Sequence, residues 1–349
     1  MAGRSCVLRR SMSQDTDCSP IVRSAMACVK LAAACGMFLL LGLPLPSHAA
    51  TDFATWLQGV RTEAVGLGLD EGTLDKALAG LKPIPRVIEL DRRQPEFTLT
   101  FKQYLQRVVN ARRVKIGKQK LAEHRQLLER IAKKYKVQPR FMVALWGIET
   151  DFGRITGGFP VIASLATLAY DGRRSKFFRK ELMVALRIVD QGHIASDKMI
   201  GSWAGAMGQN QFMPSSFQAY AVDYDDDGQK DIWGTLPDIF ASIANYLTKS
   251  GWRDDQTWGR PAMVPEGFDV KLIGRNLTKE LAEWQSLGVR QGDGADLPRR
   301  NLSASIISPQ KNSLRPAFIA YHNYQVILRW NRSDYFAIAV GTLADRLRQ

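Results

Sequence analysis

One carboxyl in this sequence stands where its acidity would change most. Glu149 closes the run Trp146-Gly147-Ile148-Glu149-Thr150-Asp151-Phe152-Gly153, after an apolar segment holding Phe141, Met142, Ala144 and Leu145. Pro139 suits the first turn of a helix there, and a helix apolar on all sides should be buried. A carboxyl at its end loses hydration, which raises its pKa, and the helix C-terminus adds negative potential that raises it further. An acid still protonated near neutral pH can protonate a glycosidic oxygen. A buried glutamate paired with an arginine for structural reasons would look the same at this level. Asp151 lies two residues on and would face elsewhere, so the two do not read as a retaining pair.

Two further stretches have chemistry in them. Gly201-Ser202-Trp203-Ala204-Gly205-Ala206-Met207-Gly208, continuing to Gln209-Asn210-Gln211-Phe212-Met213-Pro214-Ser215-Ser216, mixes small residues, aromatics and amides. Small residues let a bulky ligand approach the backbone, and amides with flat apolar faces suit sugars. A tightly packed loop has the same composition. Asp223-Tyr224-Asp225-Asp226-Asp227-Gly228-Gln229-Lys230-Asp231-Ile232 places acids at loop positions 1, 3, 5 and 9 and glycine at 6, the pattern of an EF-hand calcium loop. Clustered carboxylates repel one another unless a cation neutralises them. Position 12 is Gly234 where a bidentate glutamate is expected, and Asp238 is placed to reach back instead. A solvated acidic turn is the plain alternative. The four histidines, His48, His124, His193 and His322, form no zinc spacing, and there is no G-x-S-x-G nucleophile turn.

The elements that must position these residues are mostly helical. Apolar spacing predicts helices over 52–79, 98–115, 119–135, from Pro139 to about 150, then 161–170, 175–190, 237–250 and 333–347. Residues 260–310 carry several Gly and Pro and alternating segments such as Val270-Lys271-Leu272-Ile273, and read as a small β insert. The fold class is therefore mainly α with a small β part (α+β).

The N-terminus is set aside before fold reasoning. From Met26 the chain reads MACVKLAAACGMFLLLGLPLPSHAA: a positive flank at Lys30, an apolar run from Leu31 to Leu45, and small residues around Ser47-His48-Ala49. This is a signal peptide, residues 1–49, with the first 25 residues as an upstream extension and cleavage after Ala49; an uncleaved anchor is the alternative. All four cysteines precede Ala50, so the mature chain forms no disulfide. The apolar run continues past Cys35, which argues against lipid anchoring. Residues before Ala50 carry five basic and two acidic groups, a net +3, which leaves +11 of the +14 on residues 50–349. A basic exported protein suits an anionic polymer, and export excludes nucleic acid as a partner.

Together these segments resemble the lytic murein transglycosylase B family. The resemblance rests on Gly147 to Gly153, on Leu165-Ala166-Thr167-Leu168-Ala169 with Arg173-Arg174 and Phe177-Phe178-Arg179-Lys180-Glu181-Leu182, and on Ser202 to Ser216. It continues through the acidic loop, Ile243-Ala244-Asn245-Tyr246, and Tyr324 to Ser333. It implies a lysozyme-like core over about 135–255 and 315–349, a helical domain and a small β insert, all within one catalytic region, 50–349. It implies a periplasmic monomer whose partners are peptidoglycan glycan strands and other cell-wall enzymes. The implied reaction cleaves the β-1,4 bond between N-acetylmuramic acid and N-acetylglucosamine and leaves a 1,6-anhydromuramic end without water. Glu149 would protonate the leaving oxygen and then take the proton of the muramic 6-hydroxyl, with the neighbouring acetamido group as nucleophile. No cofactor serves this catalysis. By matching position, Ser202, Gln211 and Asn331 would hold the sugar, Phe212, Met213, Tyr104, Tyr246 and Trp330 would line the groove, and Arg173 and Arg174 would meet acidic groups of the stem peptide. A structural Ca2+ would sit on Asp223, Asp225, Asp227, Gln229 (by its carbonyl) and Asp238. Trp330 stands where the family leads one to expect Tyr, and Gly234-Thr235 shifts the closing metal ligand by one. Two alternatives stay open: a hydrolytic muramidase using Asp151 to activate water, and a non-catalytic murein-binding protein.

Overall fold

The apolar segment after Pro139 forms the central helix of a computed structural model that describes residues 52–93, 99–310 and 313–348. The signal peptide expected over residues 1–49 lies outside the described residues. This helix, α7 in chain order (Pro139–Thr150), has Pro139 in its first turn and buries every residue from Phe141 to Gly147. Burial of Phe141, Met142, Leu145 and Trp146 contributes about 1.5–3 kcal/mol per side chain. Around it pack α5 (Ala111–Glu123), α6 (Arg125–Tyr135), α11 (Leu236–Lys249) and α14 (Asp334–Arg346). One core cluster joins Phe141, Met142 and Leu145 to Phe240, Ile243, Tyr324, Ile338 and Leu343.

The N-terminal helices differ from expectation in their breaks. The stretch 52–79 is two helices, α1 (Phe53–Gly66) and α2 (Glu71–Leu78). Asp52 caps the first, accepting from Ala54 and Thr55 N–H, and Asp70 caps the second, accepting from Thr73 N–H at 2.8 Å. A cap satisfies backbone donors that a new helix start leaves unpaired, so each Asp fixes a start. The stretch 98–115 divides likewise into α4 (Phe101–Val108), opened by a Thr100–Gln103 capping box, and α5, capped by Asn110. Helix α3 (Pro85–Arg93) follows the expected break at 82–85. Helices α8 (Val161–Asp171) and α9 (Ser175–Asp190) pack on each other and on α2 and α3 to form a second core cluster.

Two-residue strands β1 (Phe159–Pro160) and β2 (Ile200–Gly201) pair antiparallel and tie the loop after α7 to the stretch leading into α10 (Pro214–Tyr220). The β part is a five-stranded sheet in the order β4 (Lys279–Glu280), β6 (Ser303–Ile307), β7 (Ala317–Ala320), β3 (Gly259–Met263), β5 (Arg290–Gln291), every pairing antiparallel. It reaches past the expected span 260–310, because β7 lies beyond it. Val270–Leu272 is a 3-10 turn rather than a strand, and α12 (Leu281–Ser286) buries Leu281 and Trp284 under the sheet. Helix α13 (His322–Trp330), not foreseen as a separate helix, leads from the sheet back to the centre of the molecule.

Candidate active site

Glu149 is the penultimate residue of α7. After Thr150 the chain leaves the helix through three consecutive left-handed residues, Asp151 (φ 51), Phe152 (φ 62) and Gly153 (φ 81). This reversal tucks the Phe152 ring beneath the helix: a Cβ on Gly147 would stand 2.6 Å from it, so only glycine fits. Thr150 Oγ1 accepts from Gly153 N–H at 3.0 Å and lies 3.0 Å from the carbonyl of Gln209. Gln209 accepts from the Trp146 indole at 2.8 Å and donates to Trp233 O at 2.8 Å. The helix end, the 201–212 loop and the end of the acidic loop are thus bolted together through Gln209. Sequence reasoning gave that residue no role, since nothing local marks a side chain that bonds to partners 63 and 24 residues away.

The half-buried Glu149 carboxyl is raised from 4.5 to about 7: burial pushes it up, and one hydrogen bond, from the Trp330 indole to Oε1 at 2.7 Å, pulls it partly back. No charged group among the described residues acts on it. The structural alternative, a glutamate paired with an arginine, is therefore not what the fold holds. At neutral pH a carboxyl with this pKa is protonated in about half of the molecules, which suits a group that must give a proton and then take one.

Asp151 has the opposite surroundings. Its buried carboxylate receives Arg112 at 2.9 Å, Arg154 at 2.8 Å and Arg113 at 3.3 Å. Burial would raise its pKa, but the Arg112 and Arg154 hydrogen bonds and the charge of Arg113 outweigh it and hold the carboxyl below its ordinary range. A carboxylate engaged by three guanidiniums has little basicity left with which to activate water.

Trp330, at the end of α13, is held by aromatic neighbours. Its ring centroid lies 4.6 Å from Tyr246 and 5.1 Å from Phe212, and the Tyr246 hydroxyl donates to Arg329 O at 2.7 Å. Contacts thus gather Glu149, Trp330, Phe212 and Tyr246 at one place, Phe212 and Tyr246 being buried and Trp330 half-buried. Met213 is half-buried against the second core cluster and precedes α10. Ser202 Oγ accepts from Ala206 N–H at 3.0 Å, and the Gln211 amide donates to Thr156 O and Gly208 O, both at 3.0 Å; these two side chains brace the loop. Asn331 is exposed at the end of α13 and accepts from Ser333 N–H. Tyr104 packs on Tyr335 at 5.5 Å, in the α4–α14 contact.

Arg173 and Arg174 both grip Asp91, a carboxylate 1% exposed on α3: Arg173 Nε at 2.7 Å, and Arg174 by a second close contact. Each guanidinium stays more than two-fifths exposed, so the pair presents a net single positive charge outward while pinning α3 to the start of α9. Asp91 itself gave no sequence signal, its partners lying 82 and 83 residues on.

In the acidic loop, carboxylate oxygens of Asp223, Asp225 and Asp227 lie within 4.8 Å of one another. Gln229 is exposed beside them. Asp238 is fully buried and receives Tyr224 N–H and Asp231 N–H, each at 2.7 Å; burial, then the charges of Asp225 and Asp223, raise it to about 6 against those two bonds. Asp238 is outside the three-carboxylate group, and its bonds cinch the loop closed. Asp231 turns away to accept from Trp233 N–H, Gly234 N–H and the Thr235 hydroxyl ahead of α11.

A family model described as the transglycosylase SLT domain matches residues 52–345. The membrane-bound lytic murein transglycosylase B of Escherichia coli is 29% identical over 294 residues, covering 80% of this chain and 78% of that protein. SltB3 from Pseudomonas aeruginosa, solved in complex with NAG-anhNAM-pentapeptide, is 44% identical with a TM-score of 0.82, over 85% of this chain and 80% of that one. The Escherichia coli lytic transglycosylase SLT35, solved in complex with calcium, is 26% identical with a TM-score of 0.72, over 83% and 92%. The mostly helical fold is accordingly the lysozyme-like one of these enzymes. Its matched span takes in the helix end, both loops and the aromatic cluster, and so the chain belongs to the transglycosylase SLT domain family, as a lytic transglycosylase acting on peptidoglycan.

Proposed function

We propose that Glu149 alone serves as acid and then as base in this reaction. Protonated, it gives its proton to the oxygen leaving N-acetylmuramic acid, while the neighbouring acetamido group takes up the bond at the anomeric carbon. Ionised, it then accepts the proton of the muramic 6-hydroxyl as that oxygen attacks the same carbon and the acetamido oxygen leaves it, restoring the neutral acetamido group. The proton count on Glu149 is restored and no water enters. The observation that carries this reading is the contrast between two carboxyls two residues apart: Glu149 poised near 7 with no charged neighbour, and Asp151 held ionised by three arginines. The usual hydrolytic pair would offer a second free carboxylate to activate water, and Asp151 is engaged by three arginines.

Phe212, Tyr246 and Trp330 offer flat apolar faces to sugar rings, with Met213 beside them. Ser202, Gln211 and Asn331 supply polar atoms, Tyr104 extends the wall, and Arg173 and Arg174 meet stem-peptide carboxylates with the outward charge left by Asp91. A structural Ca2+ fits the acidic loop, because three carboxylates converge within 4.8 Å where they would otherwise repel. Asp223, Asp225, Asp227 and the Gln229 carbonyl would hold it; Asp238 serves by shaping the loop. Export to the periplasm, action as a monomer and work beside other cell-wall enzymes complete the proposal, in keeping with the murein-acting relative and the segment 26–49.

The test is mass spectrometry of muropeptides released from purified sacculi by residues 50–349. Products one water lighter than reducing muropeptides are expected, and none from Glu149→Gln. Reducing ends, or undiminished turnover by Glu149→Gln, would overturn the assignment.

A further inference from the structure

The two oxygens of Glu149 are not equivalent. Oε1 accepts the Trp330 indole N–H at 2.7 Å, whereas Oε2 has no hydrogen-bond partner among the described residues and is not sealed in the interior. An indole nitrogen donates and never accepts. Whatever stands opposite it must offer a lone pair, and in a neutral carboxylic acid the carbonyl oxygen is the better acceptor. The arrangement therefore sorts the acid: carbonyl at Oε1, hydroxyl at Oε2.

Resting on the assignment of Glu149 above, we propose that Trp330 is the positioning residue of this reaction, fixing Oε1 as acceptor so that the proton leaves from and returns to Oε2. Both halves of the reaction then use one oxygen. The carboxyl need not rotate between donating to the leaving oxygen and accepting from the 6-hydroxyl, which shortens the life of the charged intermediate.

Trp330 is equipped for this. Its ring is flanked by Tyr246 and Phe212, and the Tyr246 hydroxyl bonds the carbonyl of the preceding residue, Arg329. The indole plane is thus fixed from two sides and from the backbone, so the N–H points one way. Glu149 in turn sits on α7, among the most buried helices of the fold. A donor and an acceptor on two rigid elements, 181 residues apart in sequence, meet in a defined geometry. The hydrogen bond also strengthens when Glu149 ionises. It therefore steadies the carboxylate after proton donation, opposing the burial that favours the neutral form.

The decisive measurement follows the indole N–H resonances of 15N-tryptophan-labelled protein, residues 50–349, from about pH 5 to about pH 9. One indole resonance, absent in Trp330→Phe, should move downfield with a midpoint near the Glu149 pKa and stay flat in Glu149→Gln. Turnover gives the second readout. In Trp330→Phe the ring remains but the N–H is gone, so the alkaline limb of the pH–rate profile should rise by about one unit. Turnover near neutrality should fall about tenfold or more with little change in KM, and Trp330→Tyr, which regains a donor, should recover part of it. A flat Trp330 resonance in wild-type protein would overturn the proposal even if Trp330→Phe fails to fold. An unmoved alkaline limb in folded Trp330→Phe would reduce Trp330 to a packing residue. Neither result would touch the role of Glu149, which is decided by the turnover of Glu149→Gln.

Discussion

Replacing Glu149 with Gln should make the protein more stable, by an amount set by pH. The carboxyl has a pKa of about 7 in the fold against 4.5 when free. Between these values the folded state holds a proton that the unfolded chain gives up, so stability falls as pH rises through this window. Each unit corresponds to about 1.4 kcal/mol, so the difference amounts to about 3 kcal/mol once Glu149 is ionised above pH 7. The amide introduced by Glu149→Gln would keep an oxygen for the Trp330 indole and cannot ionise. For about 300 residues the unfolding entropy near the midpoint is about 0.6 kcal/mol per degree. Differential scanning calorimetry should thus find Glu149→Gln melting about 5 °C above wild type at about pH 8, the gap closing toward about pH 4.5. A gap that is absent, or equal at both pH values, would refute the burial of an ionisable carboxyl at this position.

Asp151→Asn should cost about 2 kcal/mol, less than a fully buried ion pair, because Arg112 and Arg154 are more than half exposed and can turn to water. Its folded fraction should still release anhydro products on mass analysis; loss of turnover without loss of stability would give Asp151 a part in the chemistry. Chelation should lower Tm by about 4 °C if the loop holds calcium at a hundredfold excess over Kd, and Asp225→Asn should abolish the difference seen in fluorimetric melts. Gly341→Ala should destabilise by about 2 kcal/mol although alanine favours helices, since its Cβ would lie 2.1 Å from the buried Trp258 ring; urea titration measures this.

What could be read from the sequence was what local pattern encodes. The apolar run after Pro139 located α7, and its terminal glutamate was the carboxyl whose pKa burial shifts most toward neutrality. The alternating acids of 223–231 gave the converging carboxylates. Helix breaks at 67–70 and 109–110 were missed because apolar spacing continues across them, and the deciding signals were single capping residues, Asp70 and Asn110. Strand β7 was missed because Ala317 to Ala320 is buried on both faces and shows no alternation. The Asp91 clamp, the Gln209 bolt and the Trp330–Glu149 bond join residues 24 to 181 positions apart, and periodicity carries no information over such distances.

The left-handed reversal after Glu149 also governs which changes this enzyme can tolerate. Gly147 has no room for a side chain, Thr150 and Gln209 are mutually engaged, Asp151 is bound by three arginines, and Phe152 fills the space that Gly147 leaves. A library randomised over 147–153 would therefore return few folded clones. Variants with altered preference for strand or peptide should instead be sought on the facing wall, at Met213 and Asn331, where side chains are half-buried or exposed and the backbone is ordinary, while Trp330 is kept for its bond to Glu149.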